Sequence, residues 1–321
     1  MNIPQLVDEL YGAFADRIGE PWSTSARDLP RALDLAPCAV PWSRVFSHEV
    51  TLGAPALFAE AMPTVPSPVV REAVLAHALA VIDAFGTDRI EDDQIAPSPA
   101  VLAVLGQARR ERDRAVARVF GHTPPPDCLF SAADAISVHA IRRERSLLES
   151  GRPVDMRIYE RASLDKQCAG IVASVALARA AGWPDRRCAA VRATLQNVWL
   201  GLQMADDVVD WEEDLACGGA WAVCLMKGLD PPPPSGEWRI STGRVKEHVL
   251  RSGILGAMLA RAQAHMRAAR RRATILGAHR LAAWSGGFEA RMANLVAAEL
   301  RSPGYAVRAH ALSAWAHEVL A

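Results

Sequence analysis

Asp206, Asp210 and Asp214 stand four residues apart in LGLQMADDVVDWEEDL, residues 200–215. On a helix that spacing stacks the three carboxylates on one face. Like charges stacked this way repel by about 0.2–0.5 kcal/mol per exposed pair, so a row of three calls for a compensating cation. Oxygen-only ligands on a rigid helix suit Mg²⁺, which binds a few carboxylates and completes its shell with water or substrate phosphate. Gln203 lies one turn before Asp206, with Asp207 and Glu213 as flanking candidates. The competing reading is a solvated helix end. Two features weigh against it. Acids at a helix C-terminus oppose the macrodipole. Trp199 and Leu195, one and two turns earlier on the same face, make the stripe pass from apolar to acidic, the pattern of a pocket with a charged mouth.

A second acidic cluster, Asp88, Glu91, Asp92 and Asp93 in TDRIEDDQI, closes a strongly apolar segment. Asp88 and Asp92 are again four apart, with Phe85, Ala84, Val81 and His77 on the turns before them. Two helices ending in the same unfavourable way are hard to ascribe to solvation twice. If they face each other they form a metal clamp, with Asp88, Asp92, Asp206 and Asp210 as its catalytic carboxylates. Val81, Phe85, Leu195 and Trp199 are then the expected lining of an apolar cavity.

The elements that must position these residues are helices. Apolar residues recur at three and four positions through Leu6, Leu10 and Phe14, and again through Val45, Val50, Ala54, Phe58 and Met62. Helices are predicted from Pro68 to about Ile95, from Pro99 to Phe120, from Cys128 to Glu149, from Met156 to Ala181 and from Asp185 to about Ala216. Proline and glycine mark their ends. β-Branched runs are short and do not alternate, so an all-α chain is expected. The Pro-rich stretch LDPPPPSGEW, residues 229–238, is read as a loop within one helical domain spanning 1–321.

Composition narrows the partners. Lys+Arg and Asp+Glu are both 36, so no overall field favours nucleic acid or an anionic membrane. The basic run HMRAARRRA (265–273) lacks aromatics and is read as a solvated helix face. No stretch has the length and apolarity of a spanning helix, and the N-terminus, rich in acids, does not resemble a signal peptide. The six cysteines form no CxxC pair, which fits reduced thiols and a cytoplasmic location. The histidines, among them His77, His265, His310 and His317, show no metal-ligand spacing and are read as structural.

The two acidic segments resemble the class I isoprenoid synthases: trans-prenyl diphosphate synthases, squalene/phytoene synthases and terpene cyclases. Gln203, Asp206, Asp207 and Asp210 look like the second aspartate-rich motif of prenyl synthases, and Asp210, Glu213 and Asp214 like the DxxED of squalene synthases. Asp206, Asp210 and Asp214 match the spacing of the terpene-cyclase metal triad. Asp88 to Asp93 resembles DxxED more than DDxxD, and Lys166-Gln167 resembles the diphosphate-contacting Lys-Thr. The resemblance covers about residues 40–300. It implies a helical bundle with a central active-site cavity, a homodimer, and Mg²⁺ held by Asp88, Glu91, Asp92, Asp206, Asp207, Asp210 and Asp214. It also implies that Arg161, Lys166 and Gln203 contact the diphosphate of a prenyl substrate.

The departures direct the functional expectation. FSHEVTLGAPALF and DDQIAPSPAVL lack the Gly-Lys-Arg and Arg-pair signatures with which elongases hold isopentenyl diphosphate. Leu164 stands where squalene synthases place a tyrosine. The leading expectation is therefore a Mg²⁺-dependent terpene cyclase acting on a linear prenyl diphosphate. The alternatives are a prenyltransferase and a non-catalytic helical binding protein.

Overall fold

The computed structural model describes residues 2–46, 48–121, 129–150, 152–217, 219–226 and 242–301, with backbone alone at 242–244, 247 and 295–301. The 229–238 stretch, Cys128, His310 and His317 lie outside the described residues. No strand occurs among the described residues. The chain begins with α1 (Ile3–Arg17), α2 (Trp22–Arg27), α3 (Leu29–Ala32), α4 (Trp42–Val45), α5 (Glu49–Ala59), α6 (Ser67–Glu91) and α7 (Pro99–Phe120). It continues with α8 (Leu129–Ser150), α9 (Met156–Lys166), α10 (Ala169–Ala180), α11 (Asp185–Val209) and α12 (Trp211–Cys217). Among the described residues it ends with α13 (Trp221–Leu225), α14 (Thr242–Ser252), α15 (Ile254–Leu276) and α16 (His279–Arg301).

Local chemistry explains the bounds. Ser98 Oγ accepts the Val101 amide at 3.1 Å and caps α7, whose first residue is Pro99, a position where the missing N–H costs nothing. Gly182, at φ +72°, closes the chain after α10 in a backbone conformation that side chains disfavour. The helix expected from Met156 to Ala181 is divided at Gln167 and Cys168. There the amides of Gly170 and Ile171 bond three residues back, to Gln167 O and Cys168 O at 3.1 and 3.2 Å. Lys166 consequently sits at the C-terminus of α9, where the helix dipole favours a cation.

The described chain forms two compact units, each assembled from separate stretches. The first comprises residues 1–138, 167–193 and 272–281. Its central element is α6, packed by α1, α5, α7 and α10. From Ala73 to Asp83 every α6 residue is buried, because alanine, valine and leucine occupy all sides of the helix. His77 lies fully buried there, with Nε2 3.0 Å from Thr51 O; burial pushes its pKa down to about 4, so it is a neutral core residue.

The second unit comprises residues 139–166, 194–271 and 282–321. Met204, Val208, Trp211 and Leu215 of α11 and α12 share its core with Met258, Leu259, Ala262 and Met266 of α15 and Phe288 of α16. Gly201 lets α15 come close: a Cβ there would meet Met266 Cε at 2.8 Å.

Candidate metal and diphosphate site

The acidic row of the second unit forms as its spacing predicts. α11 ends at Val209 and α12 begins at Trp211, yet Asp210 N bonds Asp206 O and Asp214 N bonds Asp210 O, each at 2.9 Å. The helical register therefore runs through the interruption, and the three carboxylates stay one turn apart. Asp206 is exposed, and Asp210 and Asp214 are half-buried.

The electrostatics of the row are those of unneutralised acids. Burial and then the repulsion of Asp210 push Asp206 up to about 7, with Lys166 pulling the other way. Asp206 is open to water on its outer side, so repulsion along the row is the firmer of the two causes. Burial, then Asp206 and Asp210, push Asp214 up to about 7, again against Lys166. Asp210 is raised by burial and by Glu213.

Asp207, beside the row, has partners of its own. Its carboxylate accepts the Tyr159 hydroxyl and, at 2.9 Å, the Gln203 side-chain amide. It is buried, and that burial holds its pKa well above the usual carboxylate range. Gln203 and Asp207 are thus bonded to one another, and Asp207 to Tyr159 of α9, while the charges of Asp214 and Asp206 still act on Asp207.

The basic candidates also separate. Lys166 Nζ lies 2.8 Å from Glu144 Oε2, and both side chains are largely enclosed. Glu144 Oε1 accepts Trp221 Nε1–H at 2.7 Å. Arg161 is exposed and paired with Asp165 at 2.7 Å. Leu195 and Trp199 are buried in α11 below the row. A cavity of about 580 Å³ also lies in this unit, walled by Val154, Asp155, Met156, Leu225, Met226 and Ile254 among others, but Asp206, Asp210 and Asp214 do not line it.

In the first unit, Asp88 and Glu91 close α6 and Asp92 follows, its amide on Asp88 O at 2.9 Å. All three are half-buried. Asp93 turns the chain at φ +55°. Val81 is buried, whereas Phe85 is exposed and its ring packs on Phe46 at 4.7 Å.

Several polar groups escaped the sequence reading. Asp83, buried in α6, accepts Arg109 Nε at 2.8 and 2.9 Å, and Arg109 also reaches Thr87 Oγ1 at 3.0 Å. Arg112 is 2% exposed, forks onto Asp134 at 2.8 and 2.9 Å and lies over the Phe130 ring. Asp83 and Thr87, four apart on an apolar helix, were the available signal. Glu144, Tyr159 and Trp221 carried none. His265, read as structural, bridges Asn197 Oδ1 at 3.0 Å and Glu160 Oε1 at 3.2 Å. Arg267 and Arg270 of the basic run pair with Glu289.

Among the described residues, no three His, Cys, Asp or Glu side chains converge as a ready metal nest. A row on one helix face has no common centre. Its donor set nonetheless fits Mg²⁺: oxygens only, mutually repelling, leaving most of the octahedral shell to water or phosphate oxygens.

No family model matches the chain, and no curated protein is significantly similar to it in sequence. Solved structures are similar. A geranylgeranyl pyrophosphate synthetase from the archaeon Geoglobus acetivorans superposes with a TM-score of 0.59 at 11% identity, covering 89% of this chain and 98% of that one. The chain has the isoprenoid synthase fold. A polyprenyl synthetase from Streptomyces coelicolor A3(2) gives a TM-score of 0.55 at 13% identity, covering 99% and 98%. At such identities the isoprenoid synthase likeness is one of fold, and the chemistry rests on this chain's own residues. No helix among the described residues is long and apolar enough to cross a membrane.

Proposed function

We propose that this chain ionises a linear prenyl diphosphate with Mg²⁺ and converts the resulting allylic cation to a cyclic terpene. The observation that carries the reading is the Asp206–Asp210–Asp214 row, kept in register across the α11–α12 interruption and opposed in charge by Lys166.

Asp206, Asp210 and Asp214 are the proposed ligands in the second unit; Asp88, Glu91 and Asp92 are those of the first. Bound Mg²⁺ supplies charge neutralisation for the diphosphate and for its departure as an anion. Lys166 shares that load, at the mouth of the row. The breaking bond is that between the first prenyl carbon and the bridging oxygen. Its electron pair leaves with diphosphate, and the cation closes on its own double bonds before it loses a proton or takes up water. Leu195 and Trp199, buried about two to three turns below Asp206, keep water from the prenyl chain. Asp207 and Gln203 are assigned to holding α11 against Tyr159, and Arg161 to a rim position.

The test is incubation with geranyl, farnesyl and geranylgeranyl diphosphates singly, with and without Mg²⁺, followed by mass analysis. A cyclic hydrocarbon or alcohol formed from one substrate only with metal is the expected result. Prenyl transfer is the second reading, favoured by the Gln203-Met-Ala-Asp206-Asp207-Val-Val-Asp210 pattern and by the fold shared with the two synthetases named above. A longer prenyl diphosphate appearing only when isopentenyl diphosphate is added would replace cyclisation with that reading.

A further inference from the structure

Glu144 is an uncommon residue to find enclosed: a carboxylate 8% exposed on α8, outside the acidic row although its charge acts on Asp214. Its two oxygens are assigned separately. Oε1 accepts the Trp221 indole N–H at 2.7 Å, and Oε2 meets Lys166 Nζ at 2.8 Å. An indole N–H is a donor with a fixed direction, so it determines which oxygen is presented to the lysine.

Trp221 is itself held. Its ring meets Tyr159 edge-on at 5.0 Å, and Tyr159 donates to Asp207 beside the acidic row. The backbone of α13 is docked through Val154 N on Cys224 O at 2.7 Å. Gly219, just ahead of it, lies so close to α8 that a Cβ would stand 2.8 Å from Leu148 O. A continuous set of contacts thus runs from Asp207 through Tyr159, Trp221 and Glu144 to Lys166, whose charge acts back on Asp206 and Asp214.

We infer that Glu144, anchored by Trp221, is a positioning residue that holds the Lys166 ammonium in place to receive a diphosphate oxygen. The inference rests on the prenyl diphosphate reading and deepens it. An ammonium carries three donors, so holding Glu144 and gripping phosphate are compatible. A long flexible lysine presented from a fixed carboxylate also loses less rotamer freedom when the ligand arrives.

The test is a double-mutant cycle of Glu144→Gln and Lys166→Met in the full chain, reading inorganic pyrophosphate affinity in saturating Mg²⁺ by calorimetry. Each single variant is expected to weaken binding by about tenfold, the scale of lost supporting contacts. The double variant is expected to bind no worse than Lys166→Met alone, within about twofold, because Glu144 acts only through Lys166. Glu144→Gln keeps side-chain shape and the acceptor for Trp221. Should it fail to fold, Trp221→Phe, which keeps the ring on Tyr159, runs the same cycle. Effects that multiply in the double variant overturn the inference. So does a Glu144→Gln protein with a lowered melting temperature and unchanged pyrophosphate affinity, the signature of a structural ion pair. Wild-type protein that binds no Mg²⁺–pyrophosphate removes the diphosphate reading itself, and this inference with it.

Discussion

Asp206 and Asp207 are adjacent in sequence and serve opposite purposes: Asp206 is exposed in a repelling row, while Asp207 is buried against Tyr159 and Gln203. Replacing each therefore has a different signature. Asp206→Asn is expected to weaken Mg²⁺-dependent pyrophosphate binding by about a hundredfold and to raise the melting temperature of metal-free protein, because one repelling charge is gone. Calorimetric titration and thermal unfolding of the same preparation check both signs.

Tyr159→Phe acts on the other carboxylate. It leaves Asp207 buried with Gln203 alone, and the bond lost to a buried carboxyl group is expected to cost about 2 kcal/mol in stability. Denaturant unfolding measures it; a cost near zero would mean that water replaces the hydroxyl.

The pH dependence of the row follows from its raised pKa values. Asp206 and Asp214 stand at about 7 in the folded chain against an ordinary 3.8. The folded state binds their protons more tightly than the unfolded state, so their contribution is most favourable below about pH 4 and falls as pH rises toward 7. Mg²⁺ competes with those protons, and its stabilisation in the presence of pyrophosphate is expected to be larger at pH 8 than at pH 6. The difference in melting temperature between wild type and an Asp206→Asn/Asp214→Asn variant, followed across that range, isolates the effect from other titrating groups.

Arg112 carries a prediction confined to the first unit. Arg112→Met leaves Asp134 without its two-pronged partner and Asp83 with Arg109 alone, and is expected to destabilise by about 3–5 kcal/mol. Arg112→Lys is expected to rescue little, because an ammonium cannot fork onto a carboxylate. Chemical denaturation of the three proteins decides the ranking.

What could be read in advance divides by the distance over which residues act. α7 is announced by Pro99, the end of α10 by Gly182, and the acidic row by its four-residue period, all local signals. The division between α9 and α10 was missed because neither Gln167 nor Cys168 is a helix breaker. Tyr159 and Asp207 are 48 residues apart, and Glu144 and Trp221 are 77 apart. No periodicity links such pairs, so the bond that Asp207 accepts from Tyr159 on α9 could not be read from α11 alone. Arg112 escaped for the same reason, since its pairing to Asp134 exists only once α7 and α8 meet.

The bonds from Asp210 N to Asp206 O and from Asp214 N to Asp210 O carry the spacing across the break and make α11 and α12 a ruler. Its graduations are helical turns of about 5.4 Å, and one residue more or less rotates everything beyond it by about 100°. A single insertion between Asp206 and Asp214 would swing the later carboxylates off the face, however conservative the inserted side chain. Substitutions between the marks, at Val208 or Val209, alter only packing. Length, more than composition, is what this segment must preserve.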